Sequence, residues 1–343
     1  MNRIARSLLA VVLLSGVVVA LPAGAGAPCR VLVLGAMPVE IGPFLAEATA
    51  TNRVDIETTN DRGQQQLKSY FLGTIAGKDV IMAMTGIGTK NAEETAQLAF
   101  DHLGCISGAV FSGVSGGTEG QYIGDVFVPE SWTLEVLGPD GEPVASTYPA
   151  DEGMLDAARA AAPGVTLSKK GYIGDIGCVG VDPYATPTID FPHAPTITVG
   201  DWLTGRSADP FGGHALPCVP GTDTFGCNPC RYPQSSSGDI ARTVTTARPF
   251  ATPDFFTWYQ KWAGAGGSFN VQDMESAAVA KVAKDRAPFI AFRSPSDGGQ
   301  TDGDPLPPVP GPFGFLSQFM LYRQYAADNA AAVALAFLAV WTP

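Results

Sequence analysis

The sequence predicts an α/β protein, and three observations carry that prediction. Short β-branched or apolar runs alternate along the chain with longer segments of helical periodicity. The run FIAF at residues 289–292 is apolar throughout, which is typical of a strand buried on both faces. The 343 residues, 45% of them hydrophobic, can bury a large core, and no internal repeat divides them. We therefore expect one α/β domain.

The predicted strands are β-branched or apolar runs that are followed by glycine, proline or polar residues. RVLVLG ends in a glycine, and AGKD between two later runs indicates a hairpin turn. Strands are expected at residues 30–35, 70–75, 80–84, 109–111, 124–129, 196–200 and 289–292.

The predicted helices have apolar residues at helical spacing or a recognisable start. Pro38 suits the first helical position, because its fixed φ matches the helix and it has no N–H to leave unpaired. Asp273 is the expected N-cap of a later helix whose small apolar body can lie close to a sheet. Helices are expected from residue 38 to about 50, at 91–103, at 155–162, at about 274–286 and at 315–341. The apolar run at 330–341 is too short to span a membrane.

Residues 1–27 have the features of a secretory signal. Arg3 and Arg6 precede an apolar run at residues 8–21, and small residues at 23–27 offer cleavage sites. The apolar run is short for a membrane span, which disfavours the alternative of a retained anchor. We expect residues 28–343 to form the mature secreted or periplasmic protein, free of the membrane after signal cleavage.

The charge balance disfavours nucleic acid or an anionic membrane surface as a partner. The net charge is −12, and removal of the two basic residues in 1–27 gives 19 − 33 = −14. A small-molecule or cationic ligand fits so acidic a chain better. The three histidines are scattered without metal-ligand spacing, so we expect neither a metal nor another cofactor.

Six cysteines in an exported chain predict up to three disulfides, with fifteen possible pairings. They are Cys29, Cys105, Cys178, Cys218, Cys227 and Cys230. The last two have CxxC spacing, but no second pair and no thioredoxin-like βαβ pattern accompany them, which favours a structural disulfide over a redox or zinc site. Residues 206–267 are also rich in proline and glycine, which predicts a long insertion within the domain rather than a second core.

Polar residues follow the buried strand at 289–292. Arg293, Ser294, Ser296 and Asp297 come directly after it, at the edge where open α/β sheets bind their ligands. Two glycine-rich turns, TGIG at 85–88 and SGVSGG at 112–117, would let the backbone approach such a ligand. Each residue alone also has a structural alternative: Glu275 as a partner of the helix dipole, and Asp297 as a turn residue.

Three separated segments together resemble the 5′-methylthioadenosine/S-adenosylhomocysteine nucleosidases of the purine nucleoside phosphorylase superfamily. They are GAMPVE at 35–40, TGIG with SGVSGG, and VQDMESAAVA with FRSPSD at 271–280 and 292–297. The resemblance covers about residues 30–204 and 268–341. It implies a three-layer α/β/α fold with a mixed, partly closed central sheet, and it implies a homodimer.

The resemblance also implies a role for each polar residue. Glu40 matches the glutamate that activates the attacking water, Arg293 the arginine near that water, and Asp297 the acid that protonates purine N7. Met274 and Glu275 match the pair that binds the ribose. The other residues expected to contact substrate are Ile87, Val114, Ser115, Gly116, Leu203 and Ser296, with Leu203 beside the base-stacking position.

Cleavage of an N-glycosidic bond needs these residue types. Positive charge develops on the sugar and negative charge on the purine, so an acid at the base and a carboxylate beside the ribose lower the barrier. A second carboxylate takes a proton from the attacking water. We therefore predict a secreted purine nucleosidase that acts on adenine nucleosides of the methylthioadenosine, S-adenosylhomocysteine or adenosine type.

Two alternatives stay open on the sequence. A phosphate-dependent phosphorylase is disfavoured, because GAMPVE holds no arginine and carries Glu40, which repels phosphate. A non-catalytic exported nucleoside-binding or storage protein is disfavoured, because a binder needs no water-activating glutamate. The chain also departs from the family pattern, since Ser115 is displaced by one in the Gly-Ser-Ala-Gly-Gly turn and Asp273 stands where Glu is frequent. The preferred 5′ substituent is left open.

Overall fold

The computed structural model describes residues 28–59, 65–118, 120–137, 143–172, 188–208, 269–298 and 314–343. The signal sequence predicted at 1–27 lies outside the described residues, as does the predicted insertion from residue 209 to 267. Four of the six cysteines also lie outside them: Cys178, Cys218, Cys227 and Cys230.

Fourteen strands and five α-helices lie in the described part of the chain. The strands are β1 (Arg30–Gly35), β2 (Thr49–Thr59), β3 (Gln65–Ile75), β4 (Lys78–Met84), β5 (Ile106–Gly117), β6 (Val126–Val128), β7 (Ser131–Leu137), β8 (Pro143–Pro149), β9 (Lys170–Tyr172), β10 (Thr188–Asp190), β11 (Ile197–Val199), β12 (Thr204–Ala208), β13 (Val271–Asp273) and β14 (Phe289–Gly298). The helices are α1 (Pro38–Glu47), α2 (Thr89–His102), α3 (Glu152–Ala161), α4 (Ser276–Ala283) and α5 (Gly314–Val340).

Twelve of these strands form one mixed sheet. Its main path has the order β2-β3-β4-β1-β5-β13-β12-β7-β8. A branch leaves this path at β5: β14 pairs with β5 and with β6, and β6 pairs with β11. The central strands β4, β1, β5 and β14 are parallel, whereas β2, β3 and β4 pair antiparallel, as do β7 and β8. The strands β9 and β10 form a separate antiparallel pair. The predicted mixed central sheet is confirmed.

Strand β1 shows how the core divides into two layers. Leu32 and Leu34 contribute to one hydrophobic cluster and Val31 and Val33 to the other, as the two-residue period of a strand requires. The first cluster takes in the alanine-rich faces of α2 and α4, and the second takes in α1, α3 and the last turns of α5. Helices therefore cover both faces of the sheet, which confirms the predicted three-layer fold.

Two segments that the sequence predicts to be polar turns are strand instead. SGVSGG at 112–117 continues β5, and RSPSDG at 293–298 continues β14. The two strands pair in parallel from Phe289 opposite Ala109 to Gly298 opposite Gly117, with a bulge between Pro295 and Asp297. Glycine weakens a strand, but the end of β5 is paired on both edges because β13 joins it at residues 116–117.

Other elements differ from their predicted bounds. Helix α1 ends at Glu47 rather than near residue 50, because the chain turns at Ala48 into β2, whose partner β3 lies some 20 residues on. Helix α4 begins at Ser276, later than predicted. Strand β12 extends to Ala208, so the first residues of the predicted insertion belong to the main sheet. Seven strands lack a sequence prediction: β2, β7, β8, β9, β10, β12 and β13.

One disulfide lies within the described residues and joins Cys29 to Cys105. It connects the N-terminal ends of β1 and β5, where the N–H of Arg30 also donates to the carbonyl of Cys105 at 2.9 Å. The prediction of disulfide bonding is confirmed for this pair. Among the helices that the structure describes, none is long and apolar enough to cross a membrane.

Candidate active site

The side chain of Arg293 lies at the centre of the candidate site. Its Nη2 is 2.6 Å from a carboxylate oxygen of Asp273 and 3.4 Å from one of Glu275, and its Nη1 is 3.8 Å from one of Glu40. All four side chains are almost completely buried. Three carboxylates therefore converge on one guanidinium group.

Strand β5 and helix α4 fix the orientation of this guanidinium. Its Nη1 donates to the carbonyl of Val114 at 2.8 Å, and its Nε donates to the hydroxyl of Ser276 at 3.0 Å. The ring of Phe111 lies against it, with the ring centroid 4.3 Å from Cζ. A buried charge is costly unless it is paired and hydrogen-bonded, and a cation–π contact adds to that compensation. The arginine is thus held in place from β5 and α4.

Glu40 is the third residue of α1, and its carboxylate turns back onto the start of that helix. Oε2 accepts hydrogen bonds from the N–H of Ala36 and, at 2.9 Å, from the N–H of Met37. Oε1 accepts from the N–H of Val114 at 2.8 Å. Burial raises the pKa of Glu40, and Arg293 and the three N–H groups only partly offset that effect. Glu40 is therefore a stronger base than an exposed glutamate.

The close approach of Glu40 and Arg293 to β5 explains a glycine in the strand. A Cβ atom on Gly113 would overlap Oε1 of Glu40 and would lie 2.8 Å from Nη1 of Arg293. Any larger residue at position 113 would have to displace one of the two charged groups. The glycine therefore lets both of them reach the backbone of the same residue of β5, Val114.

Glu275 occupies the N-cap position of α4, which corrects the prediction that Asp273 is the N-cap. Asp273 ends β13 instead, and its carboxylate reaches past Met274 to accept from the N–H groups of Glu275 and Ser276 at 3.1 and 3.2 Å. Glu275 is left free to point inward, where its Oε1 accepts from the N–H of Gly88 at 2.8 Å. Gly88 belongs to the TGIG segment, so two of the predicted motifs meet at this bond.

The environment of Glu275 disfavours its negative charge. Burial raises the pKa of Glu275 to about 8, and the carboxylates of Asp273 and Glu40 act in the same direction. Arg293 and the N–H of Gly88 oppose the shift. A carboxyl group that titrates near neutral pH is more frequent at functional sites than elsewhere in proteins.

Asp297 lies four residues beyond Arg293 on β14, after the bulge and opposite Gly116 of β5. It accepts a hydrogen bond from the hydroxyl of the buried residue Ser296 at 2.8 Å. Burial raises the pKa of Asp297 to about 7, and the Ser296 bond lowers it by a smaller amount. Asp297 is thus placed along the same strand as the Arg293 cluster rather than in contact with it, and it can carry a proton at neutral pH.

Most other residues predicted to contact substrate lie around these charged groups. The backbone of Val114 is hydrogen-bonded to both Glu40 and Arg293, and the carbonyl oxygen of Ser115 lies 3.4 Å from the hydroxyl oxygen of Ser296. The rest of this group are placed by their neighbours in the chain or sheet: Ile87 precedes Gly88, Met274 lies between Asp273 and Glu275, and Gly116 faces Asp297.

Leu203 is the predicted contact residue that the structure sets apart from the carboxylates. It is buried just before β12, where its N–H donates to Gly200 and its carbonyl accepts from Glu130. Ser207, four residues further along, is the part of this strand that reaches the cluster.

Asp273 and Ser207 are members of the cluster that the sequence analysis missed. The hydroxyl of Ser207 donates to Asp273 and accepts from the N–H of Ala277 at 2.8 Å. The acidic pair in QDMES is a signal that could have identified Asp273, because only one residue separates it from Glu275. The sequence offers no such signal for Ser207, which is 66 residues away. Within the described ranges, no group of His, Cys, Asp and Glu side chains has the geometry of a metal site.

Comparison with known proteins identifies the family. A model of the phosphorylase superfamily matches residues 30–179. The uncharacterized protein Rv2293c of Mycobacterium tuberculosis is 36% identical over 217 residues, which cover 60% of this chain and 80% of that protein. This chain belongs to the phosphorylase superfamily. A second relative from M. tuberculosis, the uncharacterized protein Rv2292c, is 46% identical over 74 residues, which cover 21% of this chain and 90% of that protein.

Solved nucleosidase structures share the fold of this superfamily member. The 5′-methylthioadenosine/S-adenosylhomocysteine nucleosidase of Neisseria meningitidis, in complex with methylthio-immucillin-A, aligns with a TM-score of 0.52 and 17% identity over 90% of this chain and 98% of that one. The S-adenosylhomocysteine nucleosidase of Streptococcus pyogenes, in complex with 5-methylthiotubericidin, aligns with a TM-score of 0.51 and 15% identity over 93% and 100%. At this level of identity the similarity shows the fold, and it confirms the predicted phosphorylase/nucleosidase-like architecture.

Proposed function

We propose that this protein is a purine nucleosidase that hydrolyses the N-glycosidic bond of adenine nucleosides. The observation that carries the proposal is the convergence of Glu40, Asp273 and Glu275 on the buried side chain of Arg293. A protein core does not need three carboxylates around one cation, because each of them loses hydration on burial. Such a cluster is expected where a reaction uses the charges.

Each charged group has a role that fits its surroundings. Glu40, with a raised pKa and fixed by three N–H groups, takes a proton from the water that attacks C1′ of the sugar. Glu275 accepts hydrogen bonds from the ribose hydroxyls. As the C1′–N9 bond breaks, its electrons move to the purine, and Asp297 gives a proton to N7. The products are a neutral purine and the free sugar.

The charge of the cluster supports hydrolysis over phosphorolysis. Three ionised carboxylates and one guanidinium have a net charge of −2, and protonation of Glu275 still leaves −1. A negative site stabilises the positive charge that develops on the sugar in the transition state. The same site repels a phosphate dianion, because the positive charge of Arg293 is already taken up by carboxylates.

Adenine nucleosides fit the proposed acid at position 297. The 6-amino group of adenine donates hydrogen bonds and therefore suits a neighbouring carboxyl group better than an amide. The likeness to nucleosidases crystallised with methylthio-immucillin-A and 5-methylthiotubericidin agrees with this choice of ligand. We also infer that the protein acts outside the cytoplasm, and the disulfide between Cys29 and Cys105 supports this because disulfides persist in oxidising compartments.

The test is adenine release from methylthioadenosine, S-adenosylhomocysteine and adenosine, with inosine as the 6-oxo comparison, each with and without phosphate. The proposal expects adenine release without phosphate. Strict dependence on phosphate would instead identify a phosphorylase, and tight binding without release would identify a binding protein. The Glu40→Gln variant, purified in the same way, excludes a contaminating nucleosidase if it shows no release.

A further inference from the structure

Asp273 makes the closest contact with the guanidinium of Arg293. Its oxygen is 2.6 Å from Nη2, compared with 3.4 Å for Glu275 and 3.8 Å between Nη1 and Glu40. Asp273 is therefore the nearest ion-pair partner of the arginine. Nη2 also donates a longer hydrogen bond of 3.4 Å to Glu275, and Glu40 is an ion-pair partner at 3.8 Å.

The carboxylate of Asp273 also fixes the backbone at the start of α4. Oδ1 of Asp273 accepts from the N–H groups of Glu275 and Ser276, and the hydroxyl of Ser207 donates to it as well. Ser207 in turn accepts from the N–H of Ala277. The start of α4 is thus attached to β12 and β13 through the side chain of Asp273. The position of Glu275 depends on those bonds, since its own backbone is not helical.

We propose that Asp273 is a positioning residue: it takes up the charge of Arg293 and holds the start of α4, so that Glu40 and Glu275 stay available to water and to the ribose. Asp273 is itself shielded from substrate by these bonds and performs no chemical step. This inference rests on the proposed nucleosidase function for its kinetic readout.

The charge of Asp273 acts on Glu275 together with three other groups. These are Arg293 from β14, Glu40 from α1 and the N–H of Gly88 at the start of α2. If Asp273 loses its charge, two carboxylates share the guanidinium instead of three, and Arg293 pairs more closely with Glu275. The ionised form of Glu275 is then favoured, and its pKa falls. The same closer pairing competes with the hydrogen bonds that Glu275 would offer to a sugar.

The experiment compares three variants of the full chain in the adenine-release assay across pH. Asp273→Asn keeps an oxygen for the backbone N–H groups but removes the charge, Asp273→Glu keeps the charge, and Ser207→Ala removes one hydrogen bond and no charge. For Asp273→Asn we expect kcat to fall by about 10- to 100-fold, because a misplacement of catalytic groups by about 1 Å can cost about 10²-fold in rate. We also expect the acidic limb of its kcat/KM profile to shift to lower pH by about one unit or more, because a nearby charge changes the pKa of a carboxyl group by ~1–3 units. Asp273→Glu and Ser207→Ala should keep the acidic limb of the wild-type protein.

A second measurement does not depend on turnover. Carboxyl ¹³C NMR titration of glutamate-labelled protein, with Glu275→Gln to assign the signal, follows the pKa of Glu275 directly. If the wild-type protein releases no adenine under any condition, the nucleosidase proposal fails, whereas a lower Glu275 pKa in Asp273→Asn still supports the role of Asp273. An unchanged Glu275 titration in folded Asp273→Asn overturns that role. Equal activity losses in Asp273→Asn and Ser207→Ala, with both acidic limbs unmoved, also overturn it, because they indicate a structural contribution alone.

Discussion

The carboxylate of Glu40 accepts a hydrogen bond from the N–H of Val114 at 2.8 Å, across 74 residues of sequence. The carbonyl of Val114 in turn accepts from Arg293 at 2.8 Å. One residue of β5 therefore holds a buried carboxylate and a buried cation in fixed positions. Because the strand backbone sets this geometry, the charges are arranged before a ligand binds, which is the condition for strong electrostatic stabilisation of a transition state.

The proton on Asp297 is expected to carry much of the rate. Asp297→Asn keeps the shape of the side chain and its bond to Ser296 but removes the acid. We expect kcat for adenine release to fall by at least about 10²-fold, the lower end of what general acid catalysis contributes. Asp156→Asn, which changes an exposed carboxylate on α3, is the matched control. Activity of Asp297→Asn close to the wild-type value would show that 297 is not the acid.

The same substitution should change how stability depends on pH. The pKa of Asp297 rises from 3.8 to about 7 on folding, so this group stabilises the fold fully below about pH 4 and loses that contribution as pH rises to about 7. Asp297→Asn has no carboxyl group to titrate and does not lose this contribution. Between pH 4 and 7 its unfolding free energy should therefore rise relative to that of the wild type. At about 1.4 kcal/mol per pKa unit, the gain is at most about 4 kcal/mol. Urea unfolding of both proteins at pH 4 and pH 8 measures the gain, and a difference in unfolding free energy that is the same at both values would contradict the prediction.

Gly113 should tolerate no side chain. Gly113→Ala would force Glu40 or Arg293 to move, and we expect at least a tenfold loss of kcat together with a destabilisation of about 1–3 kcal/mol, typical of overpacking. Gly164→Ala is the control, because a Cβ at that position has no atom within 4 Å. Thermal unfolding and adenine release check both variants. Wild-type turnover in Gly113→Ala would show that the site does not depend on this close approach.

The Cys29–Cys105 disulfide should stabilise the fold without contributing to catalysis. It closes a loop of 76 residues, for which chain entropy gives about 4 kcal/mol. The double variant Cys29→Ser/Cys105→Ser should lose about that much unfolding free energy in urea. Its kcat per folded molecule should stay at the wild-type level, because the bond lies at the ends of β1 and β5 that are remote from Gly35 and Val114. Ser107→Ala, which removes one nearby hydrogen bond to Arg30, should cost far less. A large loss of kcat in the double variant would contradict this separation.

Several elements were predictable because their signals are local. The strand β1 has a run of β-branched and apolar residues, and α2 has apolar residues at helical spacing, so both lie close to their predicted bounds. The strand β2 was not predictable in the same way. Its exposed and half-exposed residues carry little pattern of their own, and its pairing with β3 is what makes it a strand.

The residues of the candidate site also differ in whether the sequence could identify them. Glu40, Glu275 and Arg293 could be chosen from the sequence because the segments that hold them resemble the nucleosidase motifs. Their contact with one another could not be derived from spacing, and neither could the roles of Asp273 and Ser207 as partners of the cluster. The place of Ser207 beside Asp273 likewise follows from the register of β12 against β13.

The sequence by itself determined the α/β class and the approximate place of the central elements, because hydrophobic period is a property of short segments. Its resemblance to the nucleosidases selected four charged residues as candidates. The tertiary structure alone decided that the glycine-rich segment is a strand, that Glu275 rather than Asp273 stands at the N-cap, and that Arg293 has three carboxylate partners. Those outcomes depend on which distant backbone groups pair, and hydrogen bonds between segments that are 66 to 187 residues apart leave no trace in a local pattern.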